Sequence, residues 1–326
     1  MKVVIIGLGS MGKRRLRLLK QHFDIESISG IDSSDERRNY CNKEYGISVY
    51  TSLEEAAREE SFDCAFVCTS PLSHNEVIRQ CLVYGIHVFT EINLVAEGYK
   101  ENVRMAKEKN LKLFLSSTMI YRNEMQYLYS EMRDMLAPVS YNYHVGQYLP
   151  DWHPWETYND FFVGDKRTNG CREILAIELP WIIRVFGKIR DIKVVRTRLT
   201  KLRIDYEDCY IVTLSHENGN TGVFMVDVVS REAVRDLKVI GEDVFISWGG
   251  TPDSFKRKNI SNNHMEAIDL YKNIQREGEY NKTIIENQYV NEMNQFFGEL
   301  EEKISPVYSF EQDLETLKLI DRIEKA

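Results

Sequence analysis

Gly7, Gly9 and Gly12 form G-x-G-x-x-G directly after the apolar run Val3 to Ile6 and at the start of a helical pattern. In that context the first glycine permits a tight turn, the second lets the backbone approach a diphosphate, and the third lets helix and strand pack closely. The helix start presents free amides and a partial positive charge to phosphate oxygens, and Leu8, Ser10 and Met11 belong to the same turn. Asp32 closes the second apolar run with Ser33 beside it, where a carboxylate accepts from adenosine ribose hydroxyls and repels a 2'-phosphate. These residues point to NAD. Arg37 and Arg38 follow, and an arginine there can pair with a 2'-phosphate, so NADP stays open, as does another adenosylated ligand.

Such a turn needs a parallel sheet behind it. Short apolar runs at Lys2 to Gly7, Ile25 to Asp32, Ser48 to Tyr50, Asp63 to Cys68, His87 to Thr90 and Lys112 to Leu115 alternate with helical patterns. Ser33 with Glu36, Ser52 with Glu55, and Ser73 with Glu76 match the S-x-x-E capping box and mark three helix starts. The fold class is α/β, with a doubly wound Rossmann domain over residues 1–118 that binds the dinucleotide. After it the rhythm changes: a helix from Asn123 to Leu136, then alternation in Val139 to Tyr148, Lys193 to Leu199, Tyr210 to Leu214 and Thr221 to Val229. Asn218-Gly219 reads as a hairpin turn. Two amphipathic helices close the chain, the second opening at a Ser309 to Gln312 box. Residues 119–326 are thus expected to form a C-terminal α+β domain with a large, mostly antiparallel open sheet.

The chain has 326 residues and a formal net charge of -8, which repels a phosphate backbone and argues against nucleic acid as a partner. The basic run Lys13, Arg14, Arg15, Arg17 and Lys20 reads as a solvated helix face. No apolar stretch spans a bilayer, and the run Val3 to Ile6 stops at Gly7 instead of continuing as a signal-peptide core, so a cytoplasmic location is expected. The 6 cysteines show no C-x-x-C pair, which points to reduced thiols and to no metal.

In order along the chain, "VVIIGLGSMGKRR", "VCTSPLSH", "HVFTEINL", "YR" at Tyr121 and Arg122, "RDLKVIGEDVFISW", "VNEMNQFF" and "SPVYSFEQDLETLKLI" resemble the glucose-fructose oxidoreductase, inositol dehydrogenase and MocA family. The resemblance implies hydride transfer between a nicotinamide and a sugar, cyclitol or sugar-nucleotide carbon, and a homo-oligomer formed through the C-terminal sheet. It implies that Cys68, Thr69, Ser70 and Pro71 pass beside the adenosine ribose and diphosphate, and that Glu91 lies under the nicotinamide ribose. His74 matches a common family histidine, read as structural or as a cofactor contact, and Asn93 and Arg122 join the expected cofactor contacts.

The sequence departs from the family where chemistry is done. Ile92 and Asn93 replace the lysine and proline of the family's E-K-P motif, while Ile177 and Pro180 stand at its histidine and aspartate positions. Alcohol oxidation needs a base and carbonyl reduction an acid within hydrogen-bond reach of the substrate oxygen. Candidates sit in "QYLPDWHPWETYNDFF" and just beyond it: His153, whose ordinary pKa suits the task, Tyr158, Arg172 and Glu173. The same aromatic loop also reads as packing. Three readings follow: an NAD(P)-dependent oxidoreductase, a dinucleotide-binding regulator or partner subunit without turnover, and a reductase whose substrate takes its proton from solvent.

Overall fold

Val3, Val4, Ile5, Cys64, Ala65, Phe66, Val67, Val88 and Phe89 are all completely buried, as expected of strands covered on both faces. They belong to the first unit of the computed structural model, which describes residues 1–152, 157–160, 162–278 and 282–326. That unit runs β1 (Lys2–Ile6), α1 (Ser10–His22), β2 (Ser27–Ile31), α2 (Asp35–Tyr45), β3 (Ser48–Tyr50), α3 (Leu53–Glu59), β4 (Cys64–Val67), α4 (His74–Val83), β5 (His87–Thr90), α5 (Tyr99–Glu108) and β6 (Leu113–Leu115). The strands pair in parallel in the order β3-β2-β1-β4-β5-β6. That order places a ligand crevice at the carboxyl ends of the strands, between β1 and β4.

The second sheet follows α6 (Asn123–Arg133) and contains β7 (Ser140–Gly146), on which α7 (Gly170–Phe186) packs. It continues with β8 (Ile189–Thr197), β9 (Cys209–His216), β10 (Thr221–Asp227), β11 (Val234–Ile240), β12 (Phe245–Trp248), β13 (Lys256–Asn259) and β14 (His264–Ala267). Among the described residues its order is β14-β13-β12-β11-β7-β10-β9-β8, antiparallel except that β7 and β10 run parallel. Alternation is visible in β7, where Tyr141 and Tyr143 are buried against Phe186 and Trp181 while Asn142 is exposed. The chain ends in α8 (Asn287–Leu300) and α9 (Phe310–Lys325).

The compact units do not follow chain order. One comprises Met1–Ser117 with Glu292–Glu315, the other Thr118–Asn291 with Thr316–Ala326, whereas sequence places all of 119–326 in a single domain. The physical reason is the apolar face of α8: Phe296 stacks edge-on at 5.5–5.6 Å against Phe66, Phe89 and Phe114 of the parallel sheet. Each such buried ring contributes roughly 1.5–3 kcal/mol, more than enough to fix where the helix docks.

Three local expectations need correction. Ser34, not Ser33, caps α2 by accepting from the Arg37 amide, and Ser73 makes no capping bond because its backbone is already helical (φ -96°, ψ -10°) instead of extended as at a cap. The basic run is not one solvated face, since Arg15 is completely buried and Arg14 is 5% exposed. Ser52 caps α3 as expected, and Ser309 with Gln312 forms a reciprocal box.

Candidate functional site

The turn after β1 fits a diphosphate for reasons visible at each glycine. Gly7 has φ +95°, and a Cβ there would stand 2.7 Å from the Cys68 carbonyl group; at Gly12 it would meet the Gly7 oxygen at 1.9 Å. Any side chain at either place breaks the turn. At Gly9 the nearest atom to an added Cβ is Arg37 Nη1 at 3.8 Å, so the backbone there faces open space. A group as bulky as a diphosphate can approach only such a bare stretch.

Asp32 locks this turn to the end of β2. Its Oδ2 accepts from the Leu8 amide at 2.8 Å and its Oδ1 from the Ser34 amide at 2.8 Å. Each oxygen retains a second lone pair for ribose hydroxyls. The two arginines behind it differ: Arg38 donates to the Asp32 carbonyl and pairs with Asp35, while Arg37 is exposed and 3.6 Å from Asp32 Oδ2. Only Arg37 is placed to meet a group arriving over Gly9.

On the other side of the crevice, Cys68, Thr69, Ser70 and Pro71 follow β4, and Glu91, Ile92 and Asn93 follow β5. Glu91 takes Arg15 Nε at 2.6 Å and Nη2 at 3.2 Å, and Arg15 Nη2 also reaches Glu292 at 2.7 Å. Glu292 accepts in turn from the Ser116 hydroxyl and the Ser117 amide. Burial alone would lower the Arg15 pKa, but Glu91 and Glu292 outweigh it and hold it above its usual range. Burial likewise pushes Glu292 upward despite Arg15, and pushes the Cys68 thiol well up, so that thiol stays protonated. Sequence reasoning missed Arg15 and Glu292. The available signal was Arg15's place three residues after Gly12 and four before Leu19, on the face of α1 that turns inward.

His74 is buried between these loops, with Nε2 2.9 Å from the Thr69 carbonyl oxygen and Nδ1 2.7 Å from Asn93 Oδ1. The first unit therefore brings together the expected residues at positions 7 to 12, 32, 33, 37, 68 to 71, 74, 91 and 93. Arg122 falls in the second unit and is fully committed there. Its Nε and Nη2 take Glu124, Nη2 also takes the Gly250 carbonyl, and Nη1 takes Thr283 and Gln288. With no N–H left for a cofactor, Arg122 is a framework residue instead.

The candidates for proton transfer also lie in the second unit, except that His153 is outside the described residues. Tyr158 accepts from the Arg203 amide at 3.2 Å. Arg172 is ion-paired to Asp321 at 2.8 Å and to Glu324. Its neighbour Glu173 differs: its Oε2 is buried without a hydrogen-bond partner, and burial pushes its pKa up to about 8. An acid–imidazole pair in the same unit was not foreseen. His144 Nε2 meets the buried Asp227 at 2.6 Å, and hydrogen bonds from His144, Val229 and Ser230 hold that carboxyl below its usual range against the opposing effect of burial. Among the described residues no group of three His, Cys, Asp or Glu side chains is placed to hold a metal ion. No described helix is long and apolar enough to cross a membrane.

Residues 1–117 match the Gfo/Idh/MocA model, an oxidoreductase family with an NAD-binding Rossmann fold. Biliverdin reductase A of Mus musculus is 29% identical over 134 residues, 40% of this chain and 44% of that protein. A putative UDP-kanosamine synthase oxidoreductase subunit of Amycolatopsis mediterranei is 28% identical over 118 residues, 36% of this chain and 33% of that protein. The chain thus matches less than half the length of these curated relatives. Among solved structures, the WlbA dehydrogenase from Bordetella pertussis, in complex with NADH and UDP-GlcNAcA, shares the fold. Its TM-score is 0.77 at 15% identity, over 99% of this chain and 96% of that one.

Proposed function

We propose, on the premise that residues 1–117 belong to the Gfo/Idh/MocA oxidoreductase family, that this chain is an NAD(P)-dependent oxidoreductase. It moves a hydride to or from a sugar, cyclitol or sugar-nucleotide carbon. The observation that carries the reading is the Gly7–Gly12 turn, open at Gly9 and pinned by the Asp32 carboxylate. In this reading Gly9 and the α1 amides hold the diphosphate, Asp32 holds the adenosine ribose and favours NAD, and Glu91, fixed by Arg15, borders the nicotinamide ribose. A bound nicotinamide supplies or takes the hydride. Among the described candidates for proton transfer, Glu173 is the one proposed to hold a proton for a substrate oxygen, since burial keeps its carboxyl protonated at neutral pH. A sugar-nucleotide substrate is favoured by the similarity to the putative UDP-kanosamine synthase oxidoreductase subunit and to the WlbA dehydrogenase that holds UDP-GlcNAcA.

A homo-oligomer through the open sheet accompanies this reading. Val195, Ile211 and Met225 line up across β8, β9 and β10 on its outer face, with Val195 60% and Ile211 40% exposed.

Titration with NADH and NADPH, followed by nicotinamide fluorescence, tests the assignment. Emission should rise on binding in the intact protein and not in Gly9→Val; unchanged emission with both cofactors refutes it. A second reading, a dinucleotide-binding regulator or partner subunit without turnover, is favoured by Ile92, Ile177 and Pro180 at three positions where reactive groups are usual. Any substrate that changes the nicotinamide absorbance stoichiometrically eliminates it.

A further inference from the structure

Arg122, Arg172 and Arg235 all lie largely buried in the second unit, and they differ in what their guanidinium groups still have to donate. Arg122 is committed to Glu124, Gly250, Thr283 and Gln288, and Arg172 is held between Asp321 and Glu324. Arg235 is different. Its Nη2 pairs with Glu178 at 2.8 Å, but its Nη1 meets only the Met119 thioether, a weak acceptor, at 3.1 Å, and Nε has no acceptor among the described residues. We propose that Arg235 anchors an oxyanion of the substrate, a carboxylate or a phosphate, beside Trp248.

The surroundings build such a site. Pairing of β11 with β12 sets Leu237 opposite Trp248, and two residues before Leu237 the Arg235 Cζ lies 6.0 Å from the centre of the Trp248 ring. Gly250, at φ +85°, lays bare backbone along the arginine stem, since a Cβ there would stand 2.9 Å from Arg235 Cβ. A stem held this way loses little freedom when a ligand arrives. Glu178 is completely buried and does not depend on Arg235 alone: the Tyr143 hydroxyl donates to it at 2.8 Å and Trp181 Nε1 at 2.6 Å. With that carboxylate already steadied by two neutral donors, the free edge of the guanidinium keeps its fork for a second anion. That edge is within reach, because the Arg235 side chain is 18% exposed against 1% for Arg122 and 8% for Arg172. An arriving oxygen replaces a thioether contact with a charge-assisted hydrogen bond.

The inference deepens the oxidoreductase reading and rests on it, and the experiment separates the two. UDP-glucose, UDP-glucuronate and free glucuronate are titrated calorimetrically into the intact protein with and without NADH, whose own binding is followed by fluorescence. At least one probe should bind. Arg235→Lys, which keeps a charge beside Glu178 but loses the fork, should weaken that probe about tenfold while NADH affinity stays as in the wild type. A loss confined to the two glucuronates identifies the anchored group as a carboxylate, and a loss shared by the two UDP compounds identifies it as the diphosphate. Glu178→Gln, which frees Arg235 from its carboxylate, should bind the probe at least as tightly as the wild type. No binding of any probe, undiminished binding in Arg235→Lys, an equal loss in Arg235→Lys and Glu178→Gln, or a loss that extends equally to NADH overturns the anchor. Probe binding that is intact in a protein unable to bind NADH overturns the oxidoreductase reading and leaves the anchor standing.

Discussion

Replacing Glu173 by glutamine should make the protein more stable at neutral pH, although the substitution removes an ionisable group from a helix's first turn. The native carboxyl has a pKa of about 8 against an ordinary 4.5, with burial as the cause. In the unfolded chain it ionises from about pH 4.5 upward while the native form keeps its proton, so the native state binds the extra proton and stability falls as pH rises. The loss is absent below pH 4.5, grows through the window to about pH 8 and is constant above it. At neutral pH the gap is about two and a half units, and at about 1.4 kcal/mol per unit it comes to about 3.5 kcal/mol as an upper bound. Glutamine has the same shape and no charge, so it escapes this loss. All 4 tryptophans, at 152, 155, 181 and 248, lie within Thr118–Asn291, so urea unfolding followed by tryptophan emission reports the unit that holds Glu173. Wild type and Glu173→Gln should unfold at similar urea concentrations near pH 4.5 and diverge progressively toward pH 8, the variant unfolding later. A difference between them that stays constant over that range refutes a buried, uncompensated carboxyl.

Arg15→Met leaves Glu91 and Glu292 buried without their cation and should cost about 3–5 kcal/mol, read as a lower melting temperature together with weaker NADH binding. Gly12→Ala puts a methyl group 1.9 Å from the Gly7 oxygen and should abolish NADH binding, whereas Gly46→Ala, at φ +66° with open space around it, should cost only about 1 kcal/mol and leave binding intact. Asp32→Ser removes the repulsion toward a 2'-phosphate beside Arg37 and should raise the NADPH-to-NADH affinity ratio at least about tenfold in paired titrations. Ile211→Asp on the outer sheet face should convert an oligomer to monomer in sedimentation velocity without changing NADH affinity.

The parallel sheet was legible because its strands are short, uniformly apolar and separated by capped helices, and because a glycine turn has a fixed place in that architecture. Strands β11 to β14 were not read from alternation. In Lys256–Asn259 and His264–Ala267 there is little apolar residue to alternate, and pairing with a neighbour holds them in the sheet instead. The Ser33 and Ser73 boxes failed because the S-x-x-E pattern does not fix the register: the serine one place later took the cap of α2, and Ser73 already has helical backbone angles. Arg15 reads as solvated because charge pattern alone cannot tell a solvated arginine from one whose carboxylate partners lie 76 and 277 residues away in sequence. Such pairs exist only once the fold has closed. Glu173 shows the converse, because its sequence position was noticed while its lack of a partner, which gives it its acidity, is a property of packing.

Glu91 illustrates why binding and turnover can separate in this chain. A buried carboxylate must be compensated, and here the compensation comes from Arg15 on α1, together with the hydroxyl and amide that steady Glu292. Nothing in that network involves position 92. Isoleucine can therefore replace the family's lysine without leaving Glu91 unpaired, and the Gly7–Gly12 turn, Asp32 and Glu91 keep their geometry whatever becomes of the proton-handling groups. Selection on cofactor binding and selection on proton transfer thus act on disjoint sets of residues. A chain built this way keeps its dinucleotide when its proton chemistry moves to another side chain, as proposed for Glu173, and equally when that chemistry is lost. It follows that NADH titration cannot tell the enzyme from the non-catalytic regulator, whereas stoichiometric oxidation of NADH by a keto-sugar nucleotide, lost in Glu173→Gln and retained in Ile92→Val, can.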